Sequence, residues 1–381
     1  MSSSVTEKLI EDYTEMFVKD LVLAARLYFE SEGDSLLLMQ SLFHAQQAAE
    51  KALKLFSMLI NVVEPKELKR LGHHPLLETL YLLLERMTKS MSDMKSEGKL
   101  ENVKAEKVID DIEDLKKKLE NMKGEIRKSS CYERIQKALE LRPSVSDSPA
   151  RSLEKIRVSL GTLVENREVA VFMYNMWQVL FDAILQQVSS AIEETPKLRD
   201  RVRRGEPLTF DQLKGIIDEV RSPLQWEFIR KRAESVLENP PAWLDQVLES
   251  SPVDRQLVMK ILRDIFEDPA KLLQLFNLKE TEQFPGEIGK VGSLLLGLAA
   301  LGAYPLPNGR PLLDHVIFLD VFSECGRYVE AGDGETTPEL LARKKDAARL
   351  LILAAELWTM FLLCICAILK TLRKEAERRS A

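Results

Sequence analysis

Four polar side chains on one predicted helix, with the sequence FHAQQAAEKALK, are spaced in a way that suggests a binding site. His44, Gln47, Lys51 and Lys54 recur at intervals of three or four residues, so a helical period places them together on one face. Such a face offers groups that bind a phosphate or a partner protein. The alternative is a solvated surface, on which Glu50 and Lys54 form an ordinary pair four residues apart.

The same helix carries an apolar stripe on its other side. The stripe is made of Leu42, Ala45, Ala49, Leu53 and Phe56. Its alanines allow neighbouring helices to approach closely. We therefore expect Ala45, Ala49 and Leu53 to form a core, and Lys51 and Lys54 to be exposed or at an interface.

Two further groups are weaker candidates for a binding site. His73 and His74 precede a Leu-rich helix, but no acidic or Cys ligand lies at a metal-binding spacing from them, so a loop or helix-capping role competes with binding. A basic run contains Arg199, Arg201, Arg203 and Arg204. This local patch is suited to the phosphates of a nucleic acid, but no aromatic residues interleave it, so a solvated connector is the alternative.

Composition excludes several classes of protein. The chain has 381 residues and a net charge of −6, which argues against a surface coated with basic residues for nucleic acid. Its 16 Gly and 16 Pro are too few for a collagen-like or disordered chain. A glycine-rich phosphate loop, a serine nucleophile elbow and an HExxH motif are all missing from the sequence, and we expect neither a metal site nor a cofactor.

The four cysteines, at positions 131, 325, 364 and 366, lack the density and spacing of a disulfide framework or zinc site. This favours a reducing environment. The N-terminal residues show no basic start followed by an apolar run, so we expect no signal peptide and a cytoplasmic location.

Apolar residues recur at intervals of three and four along the chain, and strand signals are almost absent, which predicts an all-α fold. Two prolines and three serines between Arg142 and Arg151 indicate a linker. The predicted organisation is a helical bundle at 1–142, a linker at 143–150, and a larger all-helical domain of unknown type at 151–381.

Two elements in this order resemble the HEPN family. Members carry an Ala-rich helix close to AQQAAEKALKALL, then a loop with a His before a Leu-rich helix; here residues 46–54 match the first element, and His73 or His74 with LLETL matches the second. The match covers roughly residues 10–90, with further bundle helices extending to residue 142. The resemblance implies an antiparallel, often dimeric bundle in proteins linked to RNA or nucleotide chemistry, toxin–antitoxin pairs and antiviral defence.

Active ribonucleases of that family carry an Arg, four to six intervening residues, and a His near the start of a late helix. Residues 91–142 contain no His, so the resemblance implies no catalytic pair in this region. Arg310 and His315 have the required spacing, but four His among many Arg produce one such pair by chance, and Pro311 favours a loop there. No catalytic residue is assigned, and the balance favours a protein that is not an enzyme.

The apolar stretch 350–369, LLILAAELWTMFLLCICAIL, is long enough to span a membrane, but Glu356 interrupts it. We expect the buried core helix of a large helical domain, with a C-terminal membrane anchor as the alternative.

The runs LLLM and LYLLL carry more leucine than one helix stripe can bury, which favours a homodimer or a protein partner. The resulting functional hypothesis is a non-catalytic, HEPN-like interaction or scaffold protein, in a nucleic-acid-processing or defence complex. The alternatives are a HEPN-type enzyme acting on RNA or nucleotides, such as a ribonuclease, and a membrane-anchored helical protein.

Overall fold

The protein is described by a computed structural model that covers residues 3–59, 67, 76–97, 104–140, 148–160, 196–221, 231, 234, 238 and 306–380. Helices account for 84% of the interpretable residues and there is almost no sheet, which confirms the all-α class. The helices of the N-terminal half are α1 (Ser3–Glu30), α2 (Ser35–Leu59), α3 (Leu76–Ser96), α4 (Lys104–Lys128), α5 (Cys131–Glu140), α6 (Pro149–Leu160), α7 (Pro196–Arg203) and α8 (Phe210–Arg221). The C-terminal segment contains α9 (Leu312–Phe318), a 3-10 turn (Leu319–Val321), α10 (Phe322–Cys325), β1 (Ala331–Gly332), β2 (Glu335–Thr336), α11 (Thr337–Arg343) and α12 (Lys345–Ser380).

Helices α1 and α2 form an antiparallel pair, joined by a tight turn. Gly33 adopts a φ of +91° in this turn, and the Asp34 carboxylate accepts hydrogen bonds from the first N–H groups of α2. Farther along the pair, the Ser41 hydroxyl donates to the backbone carbonyl of Ala24 at 2.7 Å. Asp34 therefore caps the N-terminus of α2.

Helix α2 lies at the centre of the described fold, between α1 and α12. Ala45, Ala49 and Leu53 are fully buried, as their spacing predicts. Ala48 and Ala52 are buried as well, so small side chains face more than one neighbouring helix. This surrounds α2 with protein on nearly all sides, which a helix at the edge of a bundle would not experience.

Carboxylates of the C-terminal segment bind the N-termini of helices that precede it. Each accepts a hydrogen bond from a backbone N–H in a first helical turn: Cys131 to Glu330 at 2.7 Å, Leu77 to Asp320 at 3.3 Å, and Ala150 to Asp314 at 3.2 Å. The first-turn N–H groups of a helix have no partner within the helix, so these bonds satisfy donors that burial would otherwise leave unpaired. The C-terminal segment thus holds helix ends that belong to the predicted N-terminal bundle; the boundary at 143–150 stays a prediction.

A disulfide joins Cys131, at the start of α5, to Cys325, at the end of α10. The two residues are 194 positions apart in sequence, and their Cα atoms are 5.2 Å apart. The expectation of reduced thiols is wrong for this pair, because sequence spacing carries no signal for a bond that only the tertiary fold closes. Cys364 and Cys366 stay thiols and are buried, as expected of cysteines on an apolar helix.

The two short strands form a hairpin before α11, with Ala331 opposite Thr336 and Gly332 opposite Glu335. Asp333 and Gly334, at the tip, have φ values of +50° and +81°. An Asp-Gly pair is suited to this conformation. The sequence shows almost no strand signal here because the strands are only two residues long, too short for an alternating apolar pattern.

Helix α12 contains the apolar stretch that was weighed as a membrane span. Among the described residues there is one helical segment, Lys345–Cys364, that is long and apolar enough to cross a membrane. Within its apolar 18-residue window, 83% is buried inside the protein. Glu356, in its middle, is fully buried too. This burial against α2 and other helices supports the prediction of a core helix over that of an anchor.

Candidate functional site

The outer part of the predicted polar face is held by a carboxylate on α1. Asp20 binds the Nδ1 of His44 through one oxygen, at 3.1 Å, and the Nζ of Lys51 through the other. Burial alone would raise the pKa of Asp20, but the hydrogen bonds from His44 and Lys51 outweigh it and place that pKa below its usual range. His44 and Lys51 therefore lie together, as predicted, and both are only partly exposed.

The inner part of the face is buried, which corrects the prediction for Lys54. Lys54 is 3% exposed and its Nζ donates to Glu50 at 2.6 Å. Gln46 donates to the other oxygen of Glu50 at 3.1 Å, and Gln47 donates to Gln46 at 2.7 Å. The physical reason is rotational: ten helical residues turn Lys54 about 80° away from His44, enough to move it from the surface into the core.

The Glu50–Lys54 pair is the interaction that the solvated-surface alternative anticipated, but its environment is different. A buried ion pair loses the hydration of both charges, and its Coulomb attraction only partly compensates this loss. Removing Lys54 would leave Glu50 as a buried carboxylate without this counter-ion. The pair consequently constrains α2 and offers little to a ligand.

His73 and His74 lie outside the described residues. The helix that follows them is described, and its first N–H groups face Asp320. Burial, with smaller contributions from Glu50 and Glu78, raises the pKa of Asp320 to about 8. Asp320 is thus mostly protonated at neutral pH. Asp20, which lies on α1 and pairs with side chains of α2, is ionised by contrast.

The predicted basic run is divided among different partners. Arg204 forms two hydrogen bonds to Glu206, both of 3.1 Å. Arg201 donates from Nε to the carbonyl of Pro207 at 3.2 Å, whereas Arg203 is exposed. The side chain of Arg199 lies outside the described part. Since Glu206 neutralises one of these arginines, the run is less basic than its composition suggests.

Arg310 and His315 do not form a catalytic pair. Helix α9 contains His315, where Pro311 had suggested a loop, and the ring is fully buried. Its Nδ1 lies 2.9 Å from the carbonyl of Pro311 and its Nε2 lies 2.9 Å from the amide of Asn308. Both ring nitrogens are therefore occupied by structural contacts, and burial lowers the pKa of His315.

Chemically, the site comprises one paired cluster, Asp20–His44–Lys51. A carboxylate with a lowered pKa is an acceptor, so Nδ1 of His44 donates to it. Among the residues that the structure describes, no group of three His, Cys, Asp or Glu side chains is arranged to hold a metal ion.

The sequence did not point to Asp20 or Asp320, and it did not indicate that Glu50 is buried. Asp20 interrupts the apolar pattern of α1 and would have been a signal, but its partners are 24 and 31 residues away.

No protein-family model, curated protein or solved structure matches the chain.

Proposed function

We propose that the protein is a non-catalytic helical interaction or scaffold protein, with a HEPN-like N-terminal bundle, acting in a nucleic-acid-processing or defence complex. The supporting observation is that the predicted polar face is paired within the chain. Asp20 accepts from both His44 and Lys51, and Glu50 accepts from Lys54, so these basic side chains already have carboxylate partners within the chain. A partner that fits such a face recognises its shape and apolar rim more than its charge.

The outward face of α1 has the exposed apolar side chains that such a partner needs. Met16 and Leu23 are 46% and 37% exposed and are seven residues apart, so they lie on the same side of the helix. Asp20 lies between them and holds His44 and Lys51 of α2. An apolar pair around a fixed polar cluster suits a homodimer or protein interface with a defined register.

The leucine runs contribute less to assembly than their composition predicts. Leu38, Leu80, Leu83 and Leu84 are buried within the chain, and only Leu36 of these runs is largely exposed. The case for a homodimer therefore rests on α1.

Light scattering at micromolar concentration tests the homodimer. A mass of twice 43.5 kDa is expected for the unaltered protein, falling to the monomer mass in a Met16→Glu/Leu23→Glu variant. Leu36→Glu is the matched control, because Leu36 is equally exposed but lies outside the α1 face. A monomeric unaltered protein, or equal dissociation by the control, would contradict this interface.

A second candidate is a HEPN-type enzyme acting on RNA or nucleotides, and one arrangement favours it. Asp20 orients His44 as carboxylates orient a general base, and its other oxygen holds Lys51 close to the ring. A cleavage assay on labelled RNA, paired with a salt titration of binding, separates the two functions. Cleavage that disappears in His44→Ala would favour the enzyme; salt-dependent binding without cleavage would favour a nucleic-acid-binding scaffold.

A further inference from the structure

A second polar cluster forms where the end of α1, the α7–α8 turn and α12 meet. At its centre is the half-buried phenol of Tyr28, whose hydroxyl makes no side-chain hydrogen bond to any residue in the described part of the chain. Burial raises the pKa of Tyr28, and four ionisable side chains lie close enough to act on it: Arg349, Glu356, Arg201 and Glu206. Three separate elements thus bring ionisable groups to one half-buried tyrosine.

Packing fixes this arrangement. Gly205, in the α7–α8 turn, has a φ of +70°, and a Cβ there would lie 2.8 Å from the side chain of Leu350 on α12. Just beyond the turn, the N–H of Leu208 donates to Glu356 at 2.8 Å. The turn that follows Arg201 is therefore pressed onto the helix that carries Arg349.

The cluster has more positive charge than its own carboxylates neutralise. Both carboxylate oxygens of Glu206 accept hydrogen bonds from Arg204, and the Nε of Arg201 lies 3.8 Å from one of these oxygens. A guanidinium nitrogen of Arg349 lies 3.3 Å from the carboxylate of Asp346. The Asp346 side chain is 90% exposed, so water competes strongly with Arg349 for this carboxylate. The Nε of Arg349 is buried and has no hydrogen-bond partner among the residues that the structure describes.

Glu356 does not supply the missing negative charge. It is fully buried, one of its oxygens accepts from Leu208, and the other has no hydrogen-bond partner in the described part of the chain. Burial raises the pKa of Glu356 to about 8, so this carboxyl is mainly neutral at pH 7. A buried guanidinium N–H without an acceptor costs free energy that an oxyanion would recover.

We propose that Arg201 and Arg349, with the Tyr28 hydroxyl beside them, bind an oxyanion of the carboxylate or phosphate class. This site is separate from the Asp20–His44–Lys51 cluster and does not depend on the function proposed above. Arg201 and Arg349 contact the anion, and Glu356 is a positioning residue that holds the turn through Leu208.

The test is calorimetric titration of the full chain with inorganic phosphate and, in a second arm, with succinate, both at constant ionic strength. Saturable binding below about 10 mM in either arm is expected, and the stronger arm identifies the class of oxyanion. Arg349→Gln and Arg201→Gln should each raise the dissociation constant at least about tenfold, as the loss of a charge-assisted hydrogen bond predicts. Tyr28→Phe should weaken binding less.

Arg203→Gln is the matched control, because it removes the same charge from the same basic run at an exposed position. It should change the dissociation constant by less than about twofold. Equal weakening by this control would reduce the effect to general attraction by the basic run and overturn the proposal. Absence of saturable binding in both arms would overturn it too, provided that circular dichroism shows the proteins folded.

Discussion

Reduction of the Cys131–Cys325 disulfide removes a covalent link between segments that are 194 residues apart. A link stabilises a fold mainly by restricting the unfolded chain, and a loop of this length corresponds to about 5 kcal/mol in the chain-entropy treatment. The neighbouring apolar side chains of α2, α5 and α12 stay packed after reduction, so the protein should remain folded. We expect the free energy of unfolding to fall by about 3–5 kcal/mol, since residual structure in the unfolded chain reduces the full entropic value.

Guanidinium denaturation followed by circular dichroism, with and without a dithiol reductant, measures this loss. The denaturation midpoint should fall on reduction, and the slope should rise because an unlinked unfolded chain exposes more surface. A Cys131→Ala/Cys325→Ala variant should resemble the reduced protein and be insensitive to the reductant. The reasoning fails if the denatured, unreduced protein titrates as four thiols, or if the reductant destabilises the double variant equally.

Other consequences of the fold are open to simple measurements. Leu53→Ala, at a fully buried position, should lower the free energy of unfolding by about 2–5 kcal/mol in chemical denaturation. Lys54→Met should cost about 3–5 kcal/mol because Glu50 becomes an unpaired buried charge, and adding Glu50→Leu should recover most of that loss in a double-mutant cycle. The pKa of Asp320 is raised from 3.8 to about 8 in the fold, so the folded protein holds a proton that the unfolded chain releases. Stability should therefore decrease as pH rises from about 4 to 8, and this decrease should be smaller in Asp320→Asn. A fragment of residues 1–142 should show a shallow thermal transition by circular dichroism, whereas a sharp one would show an autonomous domain.

Local features of the fold were predictable because local residues determine them. The helical period identified α2 and its buried stripe, including Ala45 and Leu53. Thr209 and Gln212 form a reciprocal cap before α8, with hydrogen bonds of 3.0 and 3.3 Å, and the sequence Thr-Phe-Asp-Gln is itself typical of such a cap. In each case the interacting groups are within a few residues of one another, so one sequence window contains the whole interaction.

Interactions between distant segments were not predictable in this way. Lys51 and Lys54 have the same residue type three positions apart, yet one pairs with Asp20 at the surface and the other with Glu50 in the core. The two lysines differ because different parts of the protein pack against them, and this packing depends on how α1 and α12 are arranged around α2. The disulfide was unpredictable for the same reason, because its two cysteines come together only when α10 packs on α5.

The helix-end contacts bear on the predicted division into domains. A segment that resembles a self-contained bundle would be expected to satisfy its own helix ends, but the first N–H groups of α3 and α5 bind Asp320 and Glu330 from the C-terminal segment. The apolar cluster around α2 likewise includes Phe322 and Leu351. Without that segment, α2 would expose a face of small apolar side chains, and two helix N-termini would lose their acceptors. The polar cluster on α1 and α2 is thus positioned by the described fold as a whole, so changes in the C-terminal segment should alter the partner binding that we propose for α1 even though they touch no residue of that face.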